Sequence, residues 1–440
     1  MDSNESNTNL GENIVLTEET NMSLLKKLFK SKYFLLAIAI IVILVALLTY
    51  KGVKENNLIK SFSDKVYPGA YILDKDISGQ TADELHKTLV SMMTVGGDKE
   101  INVTVGDQSF QTFYKNLDVT IPYEELEQDI LNYGKDKNFF QKVKLLKKPE
   151  NRTYKLELSY NEDKLNEFVN NISSTVNVAP VNASISIDGG INITAGQNGS
   201  KLNSETLLEQ LKSNIKDIDS ANVIALTGEM QTVEPTIKSE ALTGVNKRIA
   251  TFSTHYPGGP SGTNLEIAAR NIDNSLVMPG NIFSCEAAIG PTTPENGFVL
   301  ANTYVAGKVV KNYGGGVCQV ASTLYNAMLR SGIIPTERMN HMMTVSYVPM
   351  GLDATLADGS IDLKFKNDFE FPVVINSYAG NGNLTIEFWS NDTVTKGITY
   401  EPKSYQKGPL SADTYLYGYD ASGNQVYEKY LDTSTYQPFN

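Results

Sequence analysis

The strongest constraint on this chain is an uncharged apolar segment near its N-terminus. From Tyr33 to Tyr50 the sequence has no charged residue and consists mostly of Leu, Ile, Val and Ala. A helix of this length is about the shortest that crosses a hydrocarbon core of ~30 Å. The two flanking tyrosines suit the membrane interfaces. We therefore predict one transmembrane helix over residues 33–50.

Flanking charges predict the orientation of this helix. More lysines precede the segment than follow it closely: Lys26, Lys27, Lys30 and Lys32 against Lys51 and Lys54. The positive-inside rule then places the N-terminus in the cytoplasm and the C-terminal region outside the cell membrane. A cleaved signal peptide is the alternative, but no small-x-small pattern follows Leu48 and the polar leader is unusually long. We expect an uncleaved anchor.

Composition limits the classes of function that remain. The chain has 440 residues, which predicts two to four folded units, and its 23 Tyr and 16 Phe are too many for a mostly disordered protein. Asp and Glu outnumber Lys and Arg by 50 to 38, the wrong sign for a nucleic-acid-binding protein. Two Cys and three His, without zinc-binding spacings, predict no metal and no organic cofactor.

Changes in composition and hydrophobic pattern along the chain divide it into six predicted segments. A weak internal repeat relates residues 101–130 to residues 184–215, each read as strand, turn, strand and amphipathic helix, although chance similarity is the alternative. Glycine and proline cluster between short apolar runs after residue 250. The predicted segments are a cytoplasmic tail (1–32), the transmembrane helix (33–50), a stalk (51–65), two related α+β modules (66–235), a glycine-rich α+β domain with mixed or antiparallel sheets (250–395) and a C-terminal β-rich extension (396–440).

Cys318 is placed where a cysteine becomes reactive. It follows three glycines and precedes a predicted helix over Gln319–Ser331. The exposed N–H groups and the dipole at a helix N-terminus stabilise a thiolate, and glycine lets backbone N–H groups approach a bound carbonyl. His341 opens an apolar stretch, His341–Val348, predicted as a strand beside this helix. We expect His341 to be the base that partners the thiol.

Two interpretations in which the cysteines are not catalytic remain open. A lone Cys at a helix start is more often packed in a core than catalytic. Cys285 has no glycine turn and no neighbouring His, so we predict a core thiol there. A disulfide between Cys285 and Cys318 is also possible in an oxidising compartment, and it would abolish the nucleophile.

The segment around Cys318 closely resembles the VanW domain family. The resemblance rests on the sequence G-G-G-V-C-Q-V-A-S-T-L-Y-N-A at 314–327, on Glu337-Arg338 and His341, and on the runs at 346–349 and 353–355. It covers roughly residues 250–395. The preceding region resembles the YoaR-type peptidoglycan-binding domain through 196–202 and 233–235. Together they imply a wall-facing protein of a Gram-positive bacterium.

The resemblance implies an L,D-transpeptidase that makes 3-3 cross-links between peptidoglycan tetrapeptide stems, with Cys318 as nucleophile. In that reading His341 transfers protons and Asp353 or Glu337 orients it. The residues expected to hold the oxyanion or the substrate are Gly315, Gly316, Gln319 and Tyr325. A thiol hydrolase of peptidoglycan and a non-catalytic wall-binding scaffold are the alternatives.

Three departures from the family pattern concern substrate binding. The chain has Phe-Ser-Cys-Glu at 283–286 where the family has Phe-Ser-Phe-Asn, and Gly-Pro-Thr at 290–292 where it has Gly-Pro-Arg. A family arginine is missing near Ser261. These differences bear on recognition of an acidic donor stem, whereas the Cys318 and His341 positions are intact.

Overall fold

The computed structural model describes residues 30–215, 223–305, 308–357 and 359–438. The helices of eight or more residues and two shorter ones are α1 (Lys32–Ser61), α2 (Ala82–Gly96), α3 (Tyr123–Asn132), α4 (Phe139–Lys147), α5 (Glu162–Val176), α6 (Ser204–Asn214), α7 (Ser239–Leu242), α8 (Pro260–Ile272), α9 (Cys285–Ile289) and α10 (Val317–Arg330).

The strands are short in the N-terminal part and longer in the C-terminal part. They are β1 (Ala70–Ile72), β2 (Lys75–Asp76), β3 (Glu100–Val105), β4 (Gln108–Phe113), β5 (Arg152–Tyr154), β6 (Ser184–Ile187), β7 (Ile191–Thr194), β8 (Gly199–Leu202), β9 (Val223–Thr227), β10 (Met230–Val233), β11 (Lys247–His255), β12 (Ser275–Val277), β13 (Ile282–Ser284), β14 (Ala301–Val305), β15 (Lys308–Asn312), β16 (Pro335–Glu337), β17 (Lys364–Lys366), β18 (Val373–Gly380), β19 (Asn383–Ser390), β20 (Thr399–Gly408), β21 (Ser411–Tyr419) and β22 (Gln425–Thr435).

The apolar segment forms helix α1. It is long and apolar enough to cross a membrane and none of its side chains is buried, features that an anchor and a signal sequence share. The helix begins at Lys32 and continues to Ser61, so most of the predicted stalk is helical. Residues 1–29 of the predicted cytoplasmic tail lie outside the described residues.

The described residues form two compact units, the first made of those within 30–177, 202–215 and 223–231. This unit has two three-stranded sheets, ordered β2-β1-β5 and β4-β3-β9, each combining an antiparallel and a parallel pair. Helix α2 begins with a capping box in which Thr81 and Glu84 each bind the other's backbone N–H, as their spacing predicts. Amphipathic helices α5 and α6 cover a core that includes Ile101, Leu165 and Leu207.

The second unit comprises residues 178–201 and 232–440. Its central sheet has the order β11-β19-β18-β12 with antiparallel pairing throughout. Helix α10 packs against this sheet because Val320, Leu324 and Met328 recur on one face and are fully buried. The helix ends before Gly332, whose φ of 85° suits a glycine C-cap. The predicted helix is therefore confirmed, with its start at Val317.

The C-terminal segment folds as an antiparallel sheet of order β20-β21-β22 in the same unit. Ser422, Gly423 and Asn424 lie in the turn that joins β21 to β22, as a Ser-Gly-Asn run between alternating segments predicts. The turn is closed by the Asp420 carboxylate, which accepts the N–H groups of Ser422 and Asn424. The mixed α+β fold with one N-terminal apolar helix agrees with the sequence prediction.

The boundaries between the two units differ from the boundaries of the predicted domains. The predicted domain ranges remain predictions. Strands β6 and β7 of the second predicted repeat copy belong to the second unit, whereas helix α6 of the same copy belongs to the first unit. The copy therefore does not form one separate module in the structure.

Candidate active site

Cys318 is the second residue of α10, directly behind the glycine turn. Gly316 has a φ of 100°, and a Cβ there would lie 2.2 Å from the Ser261 carbonyl oxygen. A Cβ on Gly315 would lie 2.5 Å from the Asn302 carbonyl oxygen. Protein backbone thus fills the space that side chains would need at both positions. The glycines allow a tight turn that brings Cys318 into the first helical turn.

The buried side chain of Asn264 on α8 holds this turn in place. Its amide nitrogen lies 2.9 Å from the carbonyl oxygens of Val299, Tyr313 and Gly315, so its two N–H groups are shared among three acceptors. Its oxygen accepts the Val299 N–H at 2.8 Å. One side chain therefore contacts four backbone groups that flank the β14-β15 hairpin and lie outside its ladder. A lone Asn on an amphipathic helix gave no sequence signal for this role.

Polar groups surround the half-buried thiol of Cys318. The Thr355 hydroxyl lies 3.5 Å from Sγ, and the Leu356 N–H donates to Sγ at 3.5 Å. The His341 imidazole also interacts with the thiol and favours its anion. Burial acts to raise the pKa of Cys318, but His341, Leu356 and Thr355 together outweigh burial and lower that pKa. These contacts therefore shift the thiol toward its thiolate form.

Asp353 fixes the imidazole of His341. Its Oδ2 atom accepts the His341 backbone N–H at 2.7 Å and lies 2.7 Å from Nδ1. Because Nδ1 faces the carboxylate, Nε2 is left for the thiol and for the Tyr347 hydroxyl at 3.4 Å. Burial opposes protonation, yet the hydrogen bonds and charges of Asp353 and Cys318 raise the pKa of His341 to about 9. Both shifts favour a thiolate–imidazolium pair, with the carboxylate behind it.

The backbone around His341 differs from the prediction. Residues 341–348 form turns and bends between β16 and β17, so the predicted strand is wrong. The N–H of His341 binds a carboxylate instead of a neighbouring strand, and Pro349 provides no N–H for a ladder. An apolar run alone cannot distinguish a buried strand from a buried loop. The thiol and the imidazole nevertheless meet.

Three residues predicted for the site have other roles in the structure. Glu337 pairs with Lys364 at 2.8 Å, so Asp353 is the carboxylate that orients His341. The Gln319 amide is buried and donates to Thr254 and to the His255 carbonyl, which leaves no donor for an oxyanion. The Tyr325 ring is 1% exposed and lies under Arg338, so it has no access to substrate.

The second cysteine is inert. Cys285 is fully buried at the start of α9, and burial raises its pKa well above the ordinary value. Both cysteines are free thiols, so the structure does not contain the disulfide considered above. The predicted core thiol is in the position expected for it.

Two residues near Asp353 were not predicted to act in the site. The Arg338 guanidinium, 4% exposed, lies 3.4 Å from Asp353 Oδ1. The Tyr436 hydroxyl, from beyond β22, donates to the same oxygen at 2.5 Å. These residues are 15 and 83 positions from Asp353 in the sequence. No local pattern marks a partner at such a distance.

The family model described as "VanW like protein" matches residues 261–389, which contain Cys318, His341 and Asp353. The chain carries a VanW-like domain. A second family model, described as "Putative peptidoglycan binding domain", matches residues 110–223 upstream of it. The VanW-like domain relates the protein to the cell wall, and the upstream match supports peptidoglycan as a partner.

Two curated proteins are similar in sequence to parts of this chain. "Uncharacterized protein YoaR" of Bacillus subtilis (strain 168) is 28% identical over 250 residues, which cover 56% of this chain and 81% of that protein. "Vancomycin B-type resistance protein VanW" of Enterococcus faecalis (strain ATCC 700802 / V583) is 30% identical over 110 residues, 24% of this chain and 40% of that protein. No solved structure matches the chain.

Proposed function

We propose that the protein is a membrane-anchored cysteine L,D-transpeptidase that forms 3-3 cross-links in peptidoglycan. The observation that carries the proposal is the arrangement of Cys318, His341 and Asp353 in the VanW-like domain, where the thiol pKa is lowered and the imidazole pKa is raised. A thiolate beside an imidazolium is the resting state of a cysteine acyltransferase.

In the acylation step the Cys318 thiolate attacks the carbonyl between the third and fourth residues of a donor tetrapeptide stem. The C–N bond then breaks while the His341 imidazolium gives its proton to the departing amine of D-alanine. The products are a thioester on Cys318, free D-alanine and a neutral imidazole. Asp353 stabilises the imidazolium before this transfer and keeps the ring in one orientation.

The tetrahedral oxyanion needs donors near Sγ. The first N–H groups of a helix have no intrahelical acceptor. Those of Val317 and Gln319 bind the carbonyls of Gly314 and Gly316, each at 3.3 Å. The N–H of Cys318 itself, in the same turn, is the donor that we assign to the oxyanion, in place of the Gln319 side chain.

In the second step the side-chain amine of the third residue of an acceptor stem attacks the thioester. Neutral His341 takes the proton that the amine loses, and the Cys318 thiolate leaves, which restores the ion pair. If water reached the thioester instead, the enzyme would be a peptidoglycan hydrolase. Helix α1 would anchor the protein, with its N-terminus in the cytoplasm and the VanW-like domain facing the wall.

Full-length protein in detergent, incubated with purified tetrapeptide muropeptides, tests the proposal by mass spectrometry of the products. We expect dimers accompanied by loss of D-alanine from wild type and from Cys285→Ala, and none from Cys318→Ala. Smaller fragments would indicate a hydrolase, and unchanged muropeptides a non-catalytic scaffold; either result would overturn the transpeptidase. Dimers from Cys318→Ala would exclude Cys318 as nucleophile.

A further inference from the structure

We propose that the C-terminal sheet β20-β21-β22 is part of the catalytic site and that Tyr436 is a positioning residue for Asp353. The inference rests on the thiol chemistry proposed above. The VanW-like match ends at residue 389, so the sheet and Tyr436 lie beyond it.

Tyr436 completes the set of partners that holds the Asp353 carboxylate. Its hydroxyl donates to Oδ1 at 2.5 Å and accepts the Gly351 N–H at 2.6 Å, and the residue is only 4% exposed. The other oxygen, Oδ2, is occupied by His341. The fully buried carboxylate therefore cannot rotate without breaking bonds at both oxygens.

The end of β22 also holds the loop that carries His341. Arg338 donates to Asp432 and to the Ser434 hydroxyl, each at 2.9 Å, and to the Asp353 carbonyl at 2.8 Å. Asn340 donates to the Thr435 carbonyl at 3.0 Å. Because His341 lies in a loop without strand partners, these contacts supply the rigidity that a sheet would otherwise give.

Tyr436 affects the chemistry through the charge of Asp353. A hydrogen bond to a buried carboxylate stabilises its anion, and that anion stabilises the imidazolium next to Cys318. The other ionisable groups around Asp353 are His341, Arg338, Tyr325 and Tyr347, with Cys318 beyond the imidazole. Loss of the phenolic hydroxyl leaves all of these in place and makes Asp353 easier to protonate.

The test measures the rate at which iodoacetamide alkylates Cys318 in the full-length protein as a function of pH. Mass spectrometry of the peptide that contains Cys318 gives this rate. For Tyr436→Phe we expect the acid limb of the profile to move up by less than about one pH unit, the size of one charge-assisted hydrogen bond, because the effect reaches Cys318 through Asp353 and His341. Tyr427→Phe is the matched control, because Tyr427 lies in β22, close in sequence to Tyr436, and packs on Tyr400 without a hydroxyl bond among the described residues. Its profile should match wild type.

A second substitution keeps the test valid if Tyr436→Phe does not fold. 3-Fluorotyrosine at position 436 preserves the shape and donates more strongly, so the acid limb should move down. Unchanged acid limbs in the variants that fold would overturn the positioning role. If the acid limb of alkylation shifts but wild type makes no cross-linked dimers, the proposed function is refuted and the positioning role stands. If dimers form but the acid limb does not shift, the positioning role is refuted and the proposed function stands.

Discussion

One oxygen of Asp353 binds His341 twice. Oδ2 accepts the backbone N–H and faces Nδ1 of the ring, both at 2.7 Å. The backbone and the imidazole of one loop residue are thereby fixed by a single buried group. This double contact to one oxygen sets which ring nitrogen faces Cys318, and the chemistry of the site depends on it.

The first prediction concerns the pH range in which the ion pair exists. The pKa of Cys318 is lowered, so the thiolate is lost only as the pH falls through that lowered value. The pKa of His341 is about 9, so the imidazolium is lost as the pH rises through about 9. We expect cross-linking to fall above pH 9 because the proton donor is gone, while iodoacetamide alkylation of Cys318 continues because the thiolate remains.

The substitution His341→Gln separates these effects. It removes the positive charge beside the thiol, so the acid limb of alkylation should move toward the ordinary thiol value near pH 9. His86→Gln, in the first unit and bound to Glu127, is the control and should leave the profile unchanged. An unchanged acid limb in His341→Gln would contradict the ion pair.

The second prediction is that Asp353→Asn lowers the rate of dimer formation by about 10²–10⁴-fold, the usual contribution of a proton-transfer group. The amide cannot stabilise an imidazolium, and its NH₂ group can present a donor to Nδ1. Asp368→Asn is the matched control, because Asp368 is exposed and its carboxylate pairs with Lys366, away from the contacts of Asp353 and His341. Equal rates for the two variants in the muropeptide assay would count against the assigned role of Asp353.

The third prediction concerns the glycine turn. Gly316→Ala should lower the free energy of unfolding by roughly 3 kcal/mol or more, since it combines left-handed strain with a clash against Ser261. Gly297→Ala is the control: φ there is 88°, but a Cβ would meet only Ile267 at an ordinary 3.6 Å. We expect a loss of about 1 kcal/mol there. Thermal unfolding measures both, and similar losses would show that close packing is unimportant.

The fourth prediction is that Asn264→Ala lowers the free energy of unfolding by about 3 kcal/mol, since it leaves several buried backbone groups without partners. Asn271→Ala, on the exposed side of the same helix, removes one bond to the Ile289 carbonyl and should cost about 1 kcal/mol or less. Thermal unfolding of the two variants is the measurement. A smaller loss for Asn264→Ala than for Asn271→Ala would rule out the clamp.

The sequence by itself determined the elements that depend on neighbouring residues. The uncharged run gave α1, the spacing of Val320, Leu324 and Met328 gave α10, and Thr81 with Glu84 gave the start of α2. The place of Cys318 behind three glycines at a helix start follows from the same local rules. Periodicity, caps and turns depend on residues a few positions apart, so the sequence alone predicts them.

Only the tertiary structure decided which side chains meet Cys318 and His341. It selected Asp353 over Glu337, buried Tyr325 and the Gln319 amide, made a loop of the predicted strand that begins at His341, and brought in Tyr436 from the segment after β22. These outcomes depend on contacts between segments far apart in sequence, where packing and the need to satisfy buried polar groups overrule local pattern.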